Sequence, residues 1–309
     1  MELIWEGKYD VHGKRVPPIK TALPFQTVEI FHQAMPQGQR ALDSDPAEWR
    51  NRLIWGDKQY VLPSLLPEFA GKIALIYIDP PFDTGTDFSF STPLPNPDAM
   101  TMKEPSIIAQ KAYRDTWGKG LDLYLKWFSE TAILLRELLA EDGSLYIHLD
   151  WRVGHYAKAV LDEVFGVGCF QNEIAWCYRE AINSMKRWNR KHDNILFYTR
   201  HPDRFCFHAD AVLQPHSDVT TAKYKYEDEK GRYRLMGRGI VGSPIQSARD
   251  ISPEWEKTHP ELVYRHYQRA GSYAVDYWNL DIINQASHER LNYPTQKPEA
   301  LLERILKAS

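Results

Sequence analysis

Long apolar runs are missing from this 309-residue sequence: the longest, Ile73 to Ile78, has six residues, against the roughly 20 that a membrane-crossing helix needs. That excludes a helical membrane span. The opening Met1-Glu2-Leu3-Ile4-Trp5-Glu6 lacks the basic, then apolar, then small-residue order of a secretory signal. A cytoplasmic location is therefore expected. Cysteine is scarce too, with Cys169, Cys177 and Cys206 in no CxxC spacing, so a disulfide framework and a structural zinc site are both unsupported. No metal site is expected elsewhere, because His148 and His155 have no third ligand spaced nearby and read as structural histidines. Internal repeats and low-complexity tracts are absent.

An excess of one charge sign is also lacking, with 38 Lys and Arg against 41 Asp and Glu. Such a balance argues against a nucleic-acid partner, which demands concentrated cations. The average hides an asymmetry, however. Residues 171–275 carry a net charge of +4 and the remainder −7, which together give the −3 of the whole. The cations fall in two clusters with interleaved aromatics. Arg179, Lys186, Arg187, Arg190 and Lys191 lie near Trp176, Tyr178 and Trp188, and Arg232, Arg234 and Arg238 lie near Tyr224, Tyr226 and Tyr233. Both patterns suit DNA, and a solvated surface is the competing account.

Residues 1–50 hold five prolines and little periodicity, and read as an irregular arm with one short helix. The segment 72–78, apolar at every position from Ile73 on, reads as a strand buried on both faces of a parallel sheet. Leu121, Tyr124, Leu125, Phe128, Ala132, Leu135 and Leu139 recur at helical spacing to Ala140, and Glu141-Asp142-Gly143 stops that helix. Strand-like Ser144 to Leu149 follows, then a helix from Val153 to Phe165. The alternation predicts an α/β domain with βαβ connections. Beyond Gly168 come shorter strand-like runs, and Pro298 opens a final amphipathic helix.

The most informative segment is Tyr77-Ile78-Asp79-Pro80-Pro81-Phe82-Asp83-Thr84-Gly85. It stands at the carboxyl end of the predicted strand, where open α/β sheets bind ligands. Two prolines stiffen the turn and leave backbone carbonyls free as acceptors. Asp79 adds a carboxylate. An exocyclic amino group fits this set: one N–H to Asp79, one to the Pro80 carbonyl, with Phe82 stacking on the heterocycle. Two acceptors draw an aromatic amine nitrogen toward tetrahedral geometry and hold its lone pair in line for an electrophile. A paired base must be flipped out to reach such a pocket. A proline turn with a solvated Asp is the bland alternative.

The segment resembles motif IV of the amino-methylating DNA methyltransferases, commonly Asp-Pro-Pro-Tyr-Asn-Thr-Gly in adenine-specific enzymes of the β class. The resemblance extends through Gly56-Asp57, the stretch from Tyr124 to Asp150, His192 to Tyr198, and Tyr293-Pro294-Thr295-Gln296-Lys297-Pro298. It implies a Rossmann-like methyltransferase fold with a mostly parallel sheet, circularly permuted, that uses S-adenosylmethionine to methylate adenine N6 in a restriction-modification system. It also implies Asp79, Pro80, Pro81 and Phe82 as the catalytic set. Asp57, Asp79, Thr295, Gln296, Lys297 and Pro298 are the implied cofactor contacts, with a helix N-terminus favouring the cofactor carboxylate. Phe82 replaces the usual Tyr, and Asp83 the usual Asn.

The implied organisation is an arm at 1–50, a catalytic core at 51–170, a target-recognition insertion at 171–275 and a return to the core at 276–309. The family's glycine-rich cofactor loop does not occur before Ser309. Gly237-Arg238-Gly239-Ile240-Val241-Gly242 follows no predicted buried strand, so it reads as a turn or phosphate-contacting loop. The fold is thus expected to be incomplete. The competing functions are N4-cytosine methylation, or an inactive DNA-binding fragment or half of a split enzyme. Protein-glutamine methylation is weaker, because Asn usually stands where Asp79 does. Double-stranded DNA is the expected partner, and a homodimer, a restriction subunit and a missing C-terminal half are the protein partners left open.

Overall fold

The computed structural model describes residues 2–30, 51–83, 120–179, 184–291, 293 and 295–309. They pack as two compact units, Met1–Cys206 with Asp276–Lys307 and Ser309, and Phe207–Val275 with Ala308. The expected short helix in the arm has no counterpart in residues 2–30, and 31–50 lie outside the described residues, as do Trp117, Thr84 and Gly85.

In the larger unit the elements follow as α1 (Lys58–Phe69), β1 (Ile73–Ile78), α2 (Leu121–Leu138), β2 (Leu139–Leu149), α3 (Gly154–Phe165), β3 (Phe170–Cys177), β4 (His192–Thr199) and β8 (Tyr277–Asn279). A closing helix, Glu299–Ala308, is called α6 below. The sheet order is β1-β2-β4-β3-β8. β1 pairs parallel with β2 and β3 with β8, while β4 runs antiparallel between β2 and β3. Four of the five strands therefore point one way, and the sheet is mixed. The carboxyl ends of β1, β2 and β3 share one rim.

Alternation along β2 builds both sides of the sheet. Leu145, Ile147 and Leu149 face Tyr124, Phe128 and Leu135 of α2 and Val160 and Leu161 of α3, whereas Tyr146 joins Trp176, Ile195, Phe197, Trp278, Leu301 and Ile305 on the other side. Periodic apolar residues thus place α2 and α3 on one face and α6 on the other. The arm is clamped to this core. The Lys8 ammonium, 1% exposed, pairs with Glu163 at 2.7 Å, and Arg15 donates to Ser129 at 3.1 Å.

Three expectations about the main sheet require correction. β1 is not buried on both faces: only Ile76 is buried, because β1 lies at the edge of the sheet and pairs with β2 alone among the described strands. Glu141-Asp142-Gly143 is not a helix stop but part of β2, in a register irregularity against β1. Gly143 is required there, since a Cβ would lie 2.9 Å from the Ile73 carbonyl oxygen and 2.8 Å from Leu139 Cγ. The strands at 170–177 and 192–199 belong to the main sheet rather than to an insertion, so the separate unit begins at 207, not 171. Their pairing is long-range and antiparallel, which local pattern does not reveal.

The smaller unit holds an antiparallel sheet of β5 (Tyr226–Asp228), β6 (Gly231–Gly237) and β7 (Val263–Tyr267), with short helices α4 (Asp218–Thr221) and α5 (Pro253–Thr258). Its core gathers Tyr233, Leu235, Ile245, Leu262 and Val263. The 237–242 glycines do follow a strand, β6, whose last residues are buried, contrary to expectation. No helix follows Gly242, and Gly239 and Gly242 adopt φ +65° and +83° in a turn. The dinucleotide fingerprint is therefore not formed. Among the described residues no helix is long and apolar enough to cross a membrane.

Candidate active site

β1 delivers Asp79-Pro80-Pro81-Phe82 to the rim. Pro80 is buried, which anchors the turn, and Asp83 follows with φ +55°, a left-handed conformation. Asn and Asp are the non-glycine residues that tolerate that region best. The Asp83 departure therefore keeps the backbone requirement of this position.

Asp79 is held from two sides. Lys297 Nζ donates to its Oδ2 at 2.7 Å and to the Thr295 carbonyl at 3.2 Å. On the inner side, His148 Nδ1 stands 3.4 Å from Asp79 Oδ1, and His148 Nε2 stands 3.1 Å from Asp193 Oδ2. The His148 side chain is completely buried. The Tyr77 hydroxyl lies 3.3 Å from the same Nδ1, and the Tyr178 hydroxyl donates to Asp193 Oδ1 at 3.3 Å. Each ring nitrogen of His148 thus faces one carboxylate. Burial, with the charges of Asp79 and Asp193 nearby, pushes the Tyr77 phenol above its ordinary range. It remains a neutral hydroxyl.

Aromatic rings frame this chain of polar groups. Phe82 meets the His148 ring edge-on at 5.4 Å between centroids, and Trp176 meets it from another side at 5.3 Å. Lys297 Nζ lies 5.7 Å from the centre of the Phe82 ring.

The other predicted cofactor residues have structural tasks. Asp57 is the N-cap of α1, its Oδ1 accepting from Gln59 N at 2.8 Å. The Gln296 side chain braces a turn, donating to the Glu289 carbonyl and accepting from Leu291 N, both at 2.7 Å. Pro298 is the N-cap of α6 rather than its first helical residue. The Glu299 N–H at that helix start is taken by the carboxylate of Glu289, so this end already holds an anion. The structure thus brings Asp79, Phe82 and Lys297 together. It gives Asp57 and Gln296 other partners.

The predicted DNA contacts divide between the units. Arg179, Lys186, Arg187, Arg190 and Lys191 follow β3 at the rim of the main sheet, whereas Arg232, Arg234 and Arg238 belong to the small unit. Arg179 is already paired with Asp281. Arg234 reaches Asp250 at 3.6 Å and lies over Tyr224, and Arg238 lies over Tyr264. Sequence reasoning missed the roles of Tyr77, His148, Asp193 and Trp176. The available signal was the pair of strand segments around His148 and Asp193, but only their antiparallel pairing shows that the two side chains meet.

Residues 73–309 match the family model for DNA methylase. The chain belongs to the DNA methylase family. It is 27% identical to the type II methyltransferase M.EcaI of Enterobacter cloacae over 84% of this chain and 59% of that enzyme. Identity to the StyLTI Mod subunit, a type III restriction-modification enzyme of Salmonella typhimurium, is 28% over 83% of this chain and 46% of that subunit. Identity to the DNA adenine methyltransferase YhdJ of Escherichia coli is 22% over 83% of this chain and 66% of that protein. This member of the family thus spans about half to two thirds of these relatives' lengths.

Proposed function

We propose that the chain transfers a methyl group from S-adenosylmethionine to the N6 of an adenine flipped out of double-stranded DNA, as part of a restriction-modification system. The observation that carries this reading is the Asp79 carboxylate, fixed between Lys297 and His148 at the end of β1 with the Phe82 ring beside it. Asp79 and the Pro80 carbonyl take the two N–H groups of the base, and Phe82 stacks on its ring. Pro81 keeps the turn stiff. Fixing the amine in line is worth orders of magnitude in rate. The proton that N6 sheds after transfer has Asp79 as its acceptor.

The residues fit the methyl donor at its amino-acid end. Asp79 and Lys297, of opposite charge, match its ammonium and carboxylate, and Thr295 stands beside them. The α6 start is a poorer match, because Glu289 occupies it. When bound, S-adenosylmethionine supplies an electrophilic methyl group on sulfur. Duplex DNA meets the cations of 179–191 and of Arg232, Arg234 and Arg238, the small unit serving target recognition. The same two N–H groups on cytosine N4 fit this pocket, so the product identifies the base. Incubating the protein with DNA and labelled donor, then separating nucleosides, is expected to yield N6-methyladenine. N4-methylcytosine alone would overturn the adenine assignment.

A further inference from the structure

The segment between β3 and β4 has a feature that phosphate contact does not explain. It holds the cations Arg179, Lys186, Arg187, Arg190 and Lys191 against a single acid, Glu180. Two large apolar side chains nevertheless stand in solvent beside them: Met185 is fully exposed and Trp188 is 95% exposed. The tip is internally braced. Ser184 N donates to Asn189 Oδ1 at 2.6 Å, and Lys186 N to Ser184 Oγ at 3.4 Å, closing 184–189 into a compact turn that displays Met185 and Trp188.

Its base is anchored as well. Tyr178 N donates to the Lys191 carbonyl at 3.0 Å, continuing the hairpin past the strands. The Arg190 guanidinium lies 3.4 Å from the centre of the Trp151 ring, two residues beyond the end of β2. Because β1, β2 and β3 run parallel, this loop rises from the same rim as Asp79.

We infer that this loop enters the DNA duplex, with Trp188 filling the space in the base stack that the flipped nucleotide vacates and Met185 packing beside it. The inference rests on the reading of the chain as a base-flipping DNA methyltransferase. Charge complementarity selects DNA as the occupant: the cations hold the phosphates on either side while an aromatic ring, stackable on any base, replaces the lost neighbour. Flipping costs unstacking, and an inserted side chain recovers part of it.

The test uses fluorescence anisotropy with two short labelled duplexes, one intact and one identical except for a single abasic site, where the space already exists. The wild-type protein is expected to prefer the abasic duplex about tenfold, the scale of one stacked base. Trp188→Ala brings the two affinities together, while Trp188→Phe keeps most of the preference. Thermal melting of Trp188→Ala should match wild type, since the side chain is exposed. Arg187→Ala weakens both duplexes alike. Equal wild-type binding to both duplexes, or a preference that survives Trp188→Ala, overturns the inference while leaving the methyltransferase reading intact. Absence of any DNA binding by the wild-type protein overturns both.

Discussion

The His148 ring joins two carboxylates distant from it in sequence: Asp79, just beyond the end of β1, is 69 residues away, and Asp193, on β4, is 45 residues away. Its position between them explains why this histidine is fully buried. If Asp79 holds the base as proposed, His148 acts as a positioning residue, through its contact with Asp79. Replacing His148 by Ala leaves Asp79 without its inner brace and Asp193 facing an empty space. Loss of a buried partner costs about 1–3 kcal/mol of stability, while misplacing a reacting group by an ångström costs about a hundredfold in rate. The expected outcome is a fall in kcat for methyl transfer of at least about tenfold, with KM for DNA little changed. Steady-state kinetics, beside urea unfolding, check this. A loss confined to stability would leave His148 a purely structural residue.

At the scale of elements, periodicity located α2 and α3 because each buries one stripe of side chains, and the proline-rich turn after β1 was legible because its residues act locally. What was not legible depends on partners distant in sequence. The edge position of β1, the inclusion of 141–143 in β2, and the recruitment of β3 and β4 into the main sheet all follow from pairing. Helix α1 meets α2 through Lys58, whose Nζ donates to Thr131 Oγ1 at 2.6 Å and to the Trp127 carbonyl at 3.0 Å. Burial pulls the Lys58 ammonium down from 10.5 to about 8, with Glu130 and Asp57 opposing the shift. Below that value folded and unfolded chains both carry the proton, and the burial cost is fully felt. Between about 8 and 10.5 the unfolded chain keeps a proton that the folded chain releases, so this group makes stability rise with pH there. Relative to Lys58→Met, wild type should gain at most about 1.4 kcal/mol per pH unit across that window, less as solvent reaches the partly exposed side chain. Urea unfolding of both proteins on either side of the window measures it, and a constant difference would contradict the shift.

Across the whole molecule, the formal charge of −3 obscures the cations that DNA would meet, and the structure shows that those cations are not equivalent. Arg179 is bound to Asp281, and Arg265 of the small unit to both Asp228 and Glu256. Arg265 is held far above its ordinary range by those two carboxylates. A guanidinium already neutralised by a carboxylate releases fewer counterions when it reaches a phosphate, because it must first give up its partner. Each phosphate truly neutralised contributes about 0.9 to the slope of log affinity against log salt. Arg187→Ala is therefore expected to lower the slope by nearly that full amount, and Arg179→Ala by a clearly smaller one. Arg265→Ala should leave the slope almost unchanged while lowering the melting temperature, because its partners lie within the small unit's own fold. Anisotropy titrations of a fixed duplex over a series of salt concentrations give the three slopes. Equal decrements for Arg187 and Arg179 would show that the Asp281 pair opens freely on DNA, and that local charge counts alone predict the interface.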